Sequence, residues 1–449
     1  MRDFLILPHE EDTARKAISH ALANGAQKVR ITLSKSVMDL VGTLDGEIDK
    51  VSHCMDRSLA ISLFVDGRFG SFSTNRLDDK EIGPFIDKAI DTVRMLADDE
   101  FRTLPDKGRK ATDATGGMEL GLYDPAYDTV SSTDRVKMAM DAILGKAGEE
   151  KPSKLISEEG EYSDSCYDSI VMDSEGLYAR HTETSFEYGV EMTVEDGEGN
   201  RYSGYWWHAA PFLKDLEIAG CGRKAYERAC SQIGSKEVES GKKTLVVDSE
   251  VASKLVTPVL NALGAYALQQ NNSFLRDSLG KKVFPEGMTI NDRCRNYGET
   301  GSRLFDSEGV ATKDSAIIRN GVIEQYFVNT YMSGKMGIAP TIEDVTRPKV
   351  EPFPKPGLDR ESIMQMCGEG ILVTGFNGGN SNSATGDFSY GIEGFAFKDG
   401  KIQHPVSEML ITGNFITLWN NLIAAGDDAR LCMSKLTPTL AFAEVDFSA

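Results

Sequence analysis

The chain has 449 residues, 40% hydrophobic and 26% charged, close to the average for globular proteins, so disordered and fibrous classes are excluded and about three domains are expected. Its 49 Lys and Arg stand against 69 Asp and Glu, a formal charge of −20, which argues against direct contact with nucleic acid, whose phosphates are held largely by basic side chains. Seven scattered cysteines without a C-x-x-C pair, an apolar start too short for a signal peptide, and no run near the roughly 18 apolar residues of a membrane span lead to the expectation of a reduced, cytoplasmic protein.

From Glu10 to Ala26 small and apolar residues fall at helical spacing, and from Lys28 the period becomes two, with Val29, Ile31 and Leu33 alternating against polar neighbours. Asp45-Gly46 and Asp66-Gly67 sit between alternating runs and predict tight hairpin turns in an antiparallel meander. A helix is expected over Asp79 to Asp98, where Ile82, Phe85, Ile86, Ala89, Ile90, Val93 and Leu96 make one stripe and Pro84 falls early enough for a first turn. Arg102 to Glu119, rich in Gly, Lys, Asp and Thr, reads as a linker. The same order then recurs: a helix over Ser132 to Ala147, strands between Leu155 and Trp207, and a helix over Leu213 to Ile233. No residue-level repeat accompanies it.

Beyond Lys243, Thr244 to Val247 is a short buried strand, and Asp248 can cap a long helix running to Gln270. Strands and turns follow, marked by Arg319-Asn320-Gly321, the prolines 352, 354 and 356, the glycine-rich Gly375 to Gly386, Asp399-Gly400, and a helix over Phe415 to Ala425. The expected fold is α+β: mainly antiparallel sheets with flanking helices, helix–meander–helix units as a candidate duplication, and a β-rich C-terminal domain. The expected divisions are 1–110, 111–235 and 236–449, the last carrying the helix over 250–270.

The motifs point away from self-contained chemistry. Histidine occurs only at 9, 20, 53, 181, 208 and 404, with no pair at the i, i+4 spacing that sets two imidazoles on one helix face for zinc. Gly375 to Gly386 lacks the Lys-Ser/Thr ending of a phosphate-binding loop and reads as a turn between strands. Ser278-Leu-Gly-Lys281 and Ser240-Gly-Lys-Lys243 match S-x-x-K without companion motifs, a pattern that arises by chance in a chain of this size. Tyr205, Trp206 and Trp207 read as core and interface packing before a ligand site.

Several short segments, in order and spacing, resemble the TldD/PmbA family, once labelled modulators of DNA gyrase, and within it the PmbA (TldE) branch. They are Gly46-Glu-Ile-Asp-Lys-Val51, Leu59 to Gly67, Leu122-Tyr-Asp-Pro125, Ser273-Phe-Leu-Arg-Asp-Ser-Leu-Gly280, Phe305-Asp-Ser-Glu-Gly-Val-Ala-Thr312, Ala384-Thr-Gly-Asp-Phe-Ser389, Pro405-Val406, and Thr412-Gly-Asn414 with Gly426-Asp-Asp428. The resemblance implies a peptidase in which the TldD branch carries a His-Glu-x-x-x-His helix and a later cysteine as zinc ligands, while the PmbA branch supplies the partner subunit. At the corresponding place this chain reads Leu260-Asn-Ala-Leu-Gly-Ala-Tyr-Ala-Leu268, with no His and no Glu after Glu250. Neither zinc ligand nor general base carries over, and Cys432, in the region of the family's thiolate, is left an orphan.

The expectation is therefore a non-catalytic subunit with no cofactor of its own and no catalytic or metal-ligating residue. Its zinc would lie in a TldD-like partner, and together they would degrade unfolded peptides. Ser273, Phe274, Asp306, Gly309, Gly386 and Asp387 are the candidate peptide or partner contacts. The third domain is expected to bury a large interface, giving a heterodimer with that partner and a homodimer alone, with no direct DNA contact and no membrane. Two other readings stay open: a self-standing regulatory or interaction protein, and an independent hydrolase using Ser or a remote metal site.

Overall fold

The computed structural model describes residues 5–144 and 154–448. Helix α1 (Pro8–Ala23) opens with Pro8 at its first position, and Glu10 folds back so that its carboxylate accepts from the Leu7 N–H at 2.9 Å. That carboxylate is buried and also meets Lys35 and Arg57. Strands β1 (Lys28–Leu44), β2 (Glu47–Val65) and β3 (Arg68–Thr74) form the first meander. Its turns place Asp45, Gly46, Asp66 and Gly67 at positive φ, the geometry that Asp-Gly pairs favour.

Helix α2 (Asp79–Val93) ends before the expected Asp98, with Arg94 as its C-cap. Pro84 lies in its interior rather than in the first turn. The second meander is β4 (Lys154–Asp173), β5 (Tyr178–Glu195) and β6 (Arg201–Ala210), flanked by α3 (Ser132–Ala142) and α4 (Cys221–Ser231). The end expected for the helix before β4, residues 145–147, lies outside the described residues. Helix α4 starts later than the expected Leu213, because Asp124 accepts from the Leu213 N–H at 2.8 Å and Gly220, at φ +82°, caps the helix just before Cys221.

The two meanders are not separate sheets. Strand β1 pairs antiparallel with β2 on one side and β4 on the other, from Arg30 opposite Asp173 to Leu44 opposite Glu159, giving one six-stranded sheet in the order β3-β2-β1-β4-β5-β6. All four helices cover the same face. Ile31, Leu33, Ile170 and Met172 pack under α1 and α2, and Val41, Tyr162, Phe186 and Tyr188 under α3 and α4.

The opposite face receives the segment read as a linker. It is a buried strap instead: Ala111, Ala114, Leu120 and Leu122 pack against Val171, Leu177, Ala179 and Phe305. Its backbone serves both sides, the Arg180 N–H donating to the Ala114 carbonyl and the Ala111 N–H to that of Gly309. Lys110 reaches Asp173 at 2.5 Å in a nearly dry pair. Polar composition concealed this role because each apolar anchor is small or isolated along the chain.

The third unit is built on β7 (Gly241–Val247), β12 (Glu369–Ser381), β13 (Asp387–Lys398), β14 (Lys401–Asn414) and β16 (Leu440–Ser448). Each pairs with the next, and β16 returns to β7, closing a small barrel. Strand β15 (Leu422–Ala425) adds to β16. A second small sheet joins β8 (Ile290–Asp292), β9 (Ser315–Arg319), β10 (Val322–Ile323) and β11 (Pro348–Val350), with α7 (Thr330–Met336) and α8 (Arg360–Cys367) beside these sheets. The hairpins at Asn320-Gly321 and Asp399-Gly400 have the expected positive φ.

Two expected helices are shorter. The run over 250–270 divides into α5 (Ser253–Asn261) and α6 (Ala265–Gln269). Pro258 removes one donor, and between the helices the Ala265 N–H donates to the Phe327 carbonyl while the Phe327 N–H donates to that of Leu263, both at 2.9 Å. Pairing with that neighbouring segment replaces the helical bonds. Likewise α9 (Phe415–Asn420) stops before Ala425, because β15 hydrogen-bonds to Phe353 and β16.

Candidate functional site

The break between α5 and α6 lies at the floor of a cleft of about 720 Å³ between the third unit and the helix-free face of the large sheet. One wall is Thr32, Tyr167, Ser169 and Val171; the other comprises Leu260 to Ala267, Arg303 to Ser307 and Glu343 to Thr346. The position that the resemblance marks for metal chemistry therefore faces a real cavity, lined there by Leu260, Asn261, Gly264, Ala265, Tyr266 and Ala267.

None of those six offers an imidazole, thiolate or carboxylate. Glu250, the only carboxylate before them on this run, is engaged by Arg228 at 2.7 Å and lies 3.6 Å from Arg430, tying α4 to the barrel. Cys432 is half-buried in the turn after Asp428. Among the described residues no group of three or more His, Cys, Asp or Glu is placed to hold a metal ion. The described residues do not fit a zinc centre.

The cleft's carboxylates gather around a loop whose shape is set by Asp306. Its carboxylate accepts from the N–H groups of Glu308 and Val310 at 2.9 Å and of Glu343 at 3.1 Å. Ser307 donates to the Glu343 carboxylate, while Glu308 turns inward to accept from the Thr330 N–H and hydroxyl. Burial, with added repulsion from Glu308 and Glu343, pushes Asp306 up to about 6 against the opposing pull of the backbone N–H groups.

Folding therefore favours its protonated form. That contribution is complete below the ordinary value of 3.8 and is lost as pH rises through about 6. Asp306→Asn, neutral at every pH, is expected to abolish this fall, so that the variant gains on the wild type between pH 4 and 7 by at most about 3 kcal/mol. The amide also loses an acceptor, but that loss does not vary with pH. Urea unfolding of both proteins across the range checks it; parallel pH profiles would refute it.

The six candidate contacts divide into two places. Ser273, Phe274, Gly386 and Asp387 meet at the turn between β12 and β13. There Phe274 stacks on Phe415 with centroids 5.8 Å apart, and a Cβ on Gly386 would come within 3.0 Å of its ring. The Ser273 hydroxyl is buried and committed to the Ala262 carbonyl at 2.5 Å, and Asp387 accepts from Thr385 and Asn414. Asp306 and Gly309 belong to the other loop, and of the six only Asp306 lines the cleft. Gly309 stands at φ +79°, where a Cβ would come within 2.2 Å of Leu177, so its need is steric.

At Ser278 the hydroxyl is bound to partners other than Lys281, and at Trp206 the ring is covered by cations. The Ser278 hydroxyl donates to the Leu275 carbonyl and lies 3.3 Å from the Tyr326 hydroxyl. Trp206 is enclosed by Lys224, Arg228 and Arg430, all within 4.6 Å of its ring centre, and Arg430 also donates to the Trp207 carbonyl. Arg303, Glu343 and Tyr167, which do line the cleft, carried no motif that would single them out.

Fold and site together define a two-part α+β protein, a helix-backed antiparallel sheet joined to a barrel domain across a cleft. The chain belongs to the PmbA/TldD family: residues 125–233 match the PmbA/TldA metallopeptidase central domain and 240–449 its C-terminal domain. It is 28% identical over 444 residues to the metalloprotease PmbA of Escherichia coli O157:H7, covering 95% of each chain. A crystal structure from Bacteroides thetaiotaomicron, named as a candidate modulator of DNA gyrase, superposes with a TM-score of 0.93 at 38% identity, covering 99% of this chain and 100% of that one. TldE from Thermococcus kodakarensis shares the fold, with a TM-score of 0.81 at 19% identity over 97% of this chain and 100% of that one. No helix among the described residues is long and apolar enough to cross a membrane.

Proposed function

We propose that this chain is the zinc-free subunit of a cytoplasmic peptidase, pairing through its third unit with a TldD-like, zinc-bearing homologue to cut unfolded peptides. The observation that carries this is the cleft itself: it lies where the family resemblance expects ligands, yet its floor from Leu260 to Ala267 is apolar or neutral. Such a floor can hold and orient an extended chain but offers no ligand for a water-activating metal. Its 720 Å³ suits a peptide segment rather than a folded domain.

The test is an unstructured-peptide cleavage assay with this chain alone, the zinc-bearing homologue alone, and the mixture, each assayed for zinc after dialysis. Co-purification and cleavage strongest in the mixture, with zinc only in the homologue, are expected. About one zinc in each copy of this chain, cleavage by this chain alone, or a mixture that neither associates nor gains activity would overturn the reading.

A further inference from the structure

A second cavity, of about 860 Å³, shares no lining residue with the cleft. The same pair of loops builds both. Stretches within 303–307 and 343–346 face the cleft, while 310–315 and 340–342 face the second cavity, joined there by Gln325 and by Gly108 and Arg109 of the strap. Lys110 and Val310 stand opposite each other in a short ladder and are both buried, so their neighbours Arg109 and Ala311 turn the other way and line the cavity. Lys313, two residues on, follows Ala311 to the same side.

The charge of this cavity is out of balance. Arg295 is paired with Asp113 at 2.6 Å. Arg109, half-buried, donates only to neutral oxygens, the Thr330 hydroxyl at 3.4 Å and the Thr341 carbonyl. Neither Arg109 nor Lys313 has a carboxylate in ion-pair reach among the described residues. Against these two cations the lining sets one acid, Asp314, which leaves one positive charge in a chain whose net charge is −20. A guanidinium stays charged and carries five N–H donors, so its field and its spare donors call for an acceptor from outside the chain. Ser315 and Gln325, also in the lining, make no side-chain hydrogen bond among the described residues, and Ala311, Pro340 and Ile342 supply apolar wall.

One surplus charge matches a carboxylate, since a phosphate monoester brings nearly two. The N–H fork of an arginine can hold a carboxylate through both oxygens, and a cavity of this size with apolar walls takes up a hydrocarbon body. We propose that this cavity binds a small ligand whose apolar body ends in a carboxylate, seated on Arg109 and Lys313. A free organic acid and the C-terminus of a peptide both present that chemistry. The site uses no residue of the cleft and does not rest on the peptidase-subunit reading.

Isothermal titration calorimetry on the full chain tests it with two acids, N-acetyl-Leu-Ala-Phe and 4-phenylbutyrate, each beside its amide. At least one acid should bind saturably with a Kd below about 1 mM, and its amide at least about tenfold more weakly. Binding of 4-phenylbutyrate alone marks a site for free organic acids, of the tripeptide acid alone a site for peptide C-termini, and of both a site that reads only the shared chemistry. Lys313→Glu, at an exposed side chain, reverses the surplus and should weaken binding at least about tenfold with the unfolding midpoint unchanged. Arg109→Gln should do the same where its unfolding midpoint shows an intact fold. Ala267→Trp, at the cleft floor, should leave binding as it is, which separates this cavity from a peptide held in the cleft. No binding by either acid, equal binding of acid and amide, indifference to Lys313→Glu, or loss on Ala267→Trp would overturn the proposal. Peptide cleavage by the mixture with the zinc-bearing homologue tests the subunit assignment, so the two can fail separately.

Discussion

Asp168→Ala is expected to cost about 3–5 kcal/mol of stability, the penalty of leaving a buried guanidinium without its counter-charge. Asp168 is fully buried and Arg180 nearly so. Its carboxylate accepts from Arg180 at 2.6 and 3.0 Å, from the Thr182 hydroxyl at 3.1 Å and from the Ile6 N–H at 3.0 Å. One side chain thus fastens β4, β5 and the entry to α1. The alanine leaves both the charge and the Ile6 donor unmet in a site closed to water. Arg76→Ala, which breaks an ion pair whose side chains are 74% and 49% exposed, should change stability by no more than about 0.5 kcal/mol. Urea unfolding of the two variants under one set of conditions makes the comparison, and a loss below about 1 kcal/mol for Asp168→Ala would refute it.

Ala267→Trp should reduce peptide cleavage by the mixture with the zinc-bearing homologue at least tenfold, about 1.4 kcal/mol of transition-state binding. Ala267 is half-buried at the cleft floor on α6, and the bond its carbonyl accepts from the Asn272 N–H is independent of the side chain. An indole there projects into the space where an extended peptide would lie. Zinc content, complex mass and unfolding midpoint should match the unsubstituted mixture, which separates a blocked cleft from a damaged fold. Undiminished cleavage in an intact complex would show that the substrate path lies elsewhere.

The parts of this fold legible in the sequence are those decided by neighbours along the chain. The turns at 45–46, 66–67, 320–321 and 399–400 could be read because two adjacent residues alone must accept positive φ. Helix α2 could be read from its stripe, though not its end. What remained hidden depends on distant partners: the Phe327 backbone that parts α5 from α6, the Asp173 carboxylate that holds Lys110, and the pairing of β1 with β4. The site shows the same divide. The lack of His and Glu over 260–268 is legible directly, whereas Ser273 and Gly309, in family-like segments, answer needs of hydrogen bonding and space.

The place of β1 between β2 and β4 has a consequence for the order in which the chain can fold. The β1–β2 hairpin closes across a two-residue turn and can form as soon as both strands exist. Its other edge must wait for residues 159–173, more than a hundred positions later in the chain. Until then a long, half-apolar strand edge stands open during synthesis, and loop-closure entropy slows the contact that covers it. Factors that shield nascent chains should therefore act on this protein before β4 emerges, and slowing translation between α2 and β4 should lengthen its exposure to aggregation.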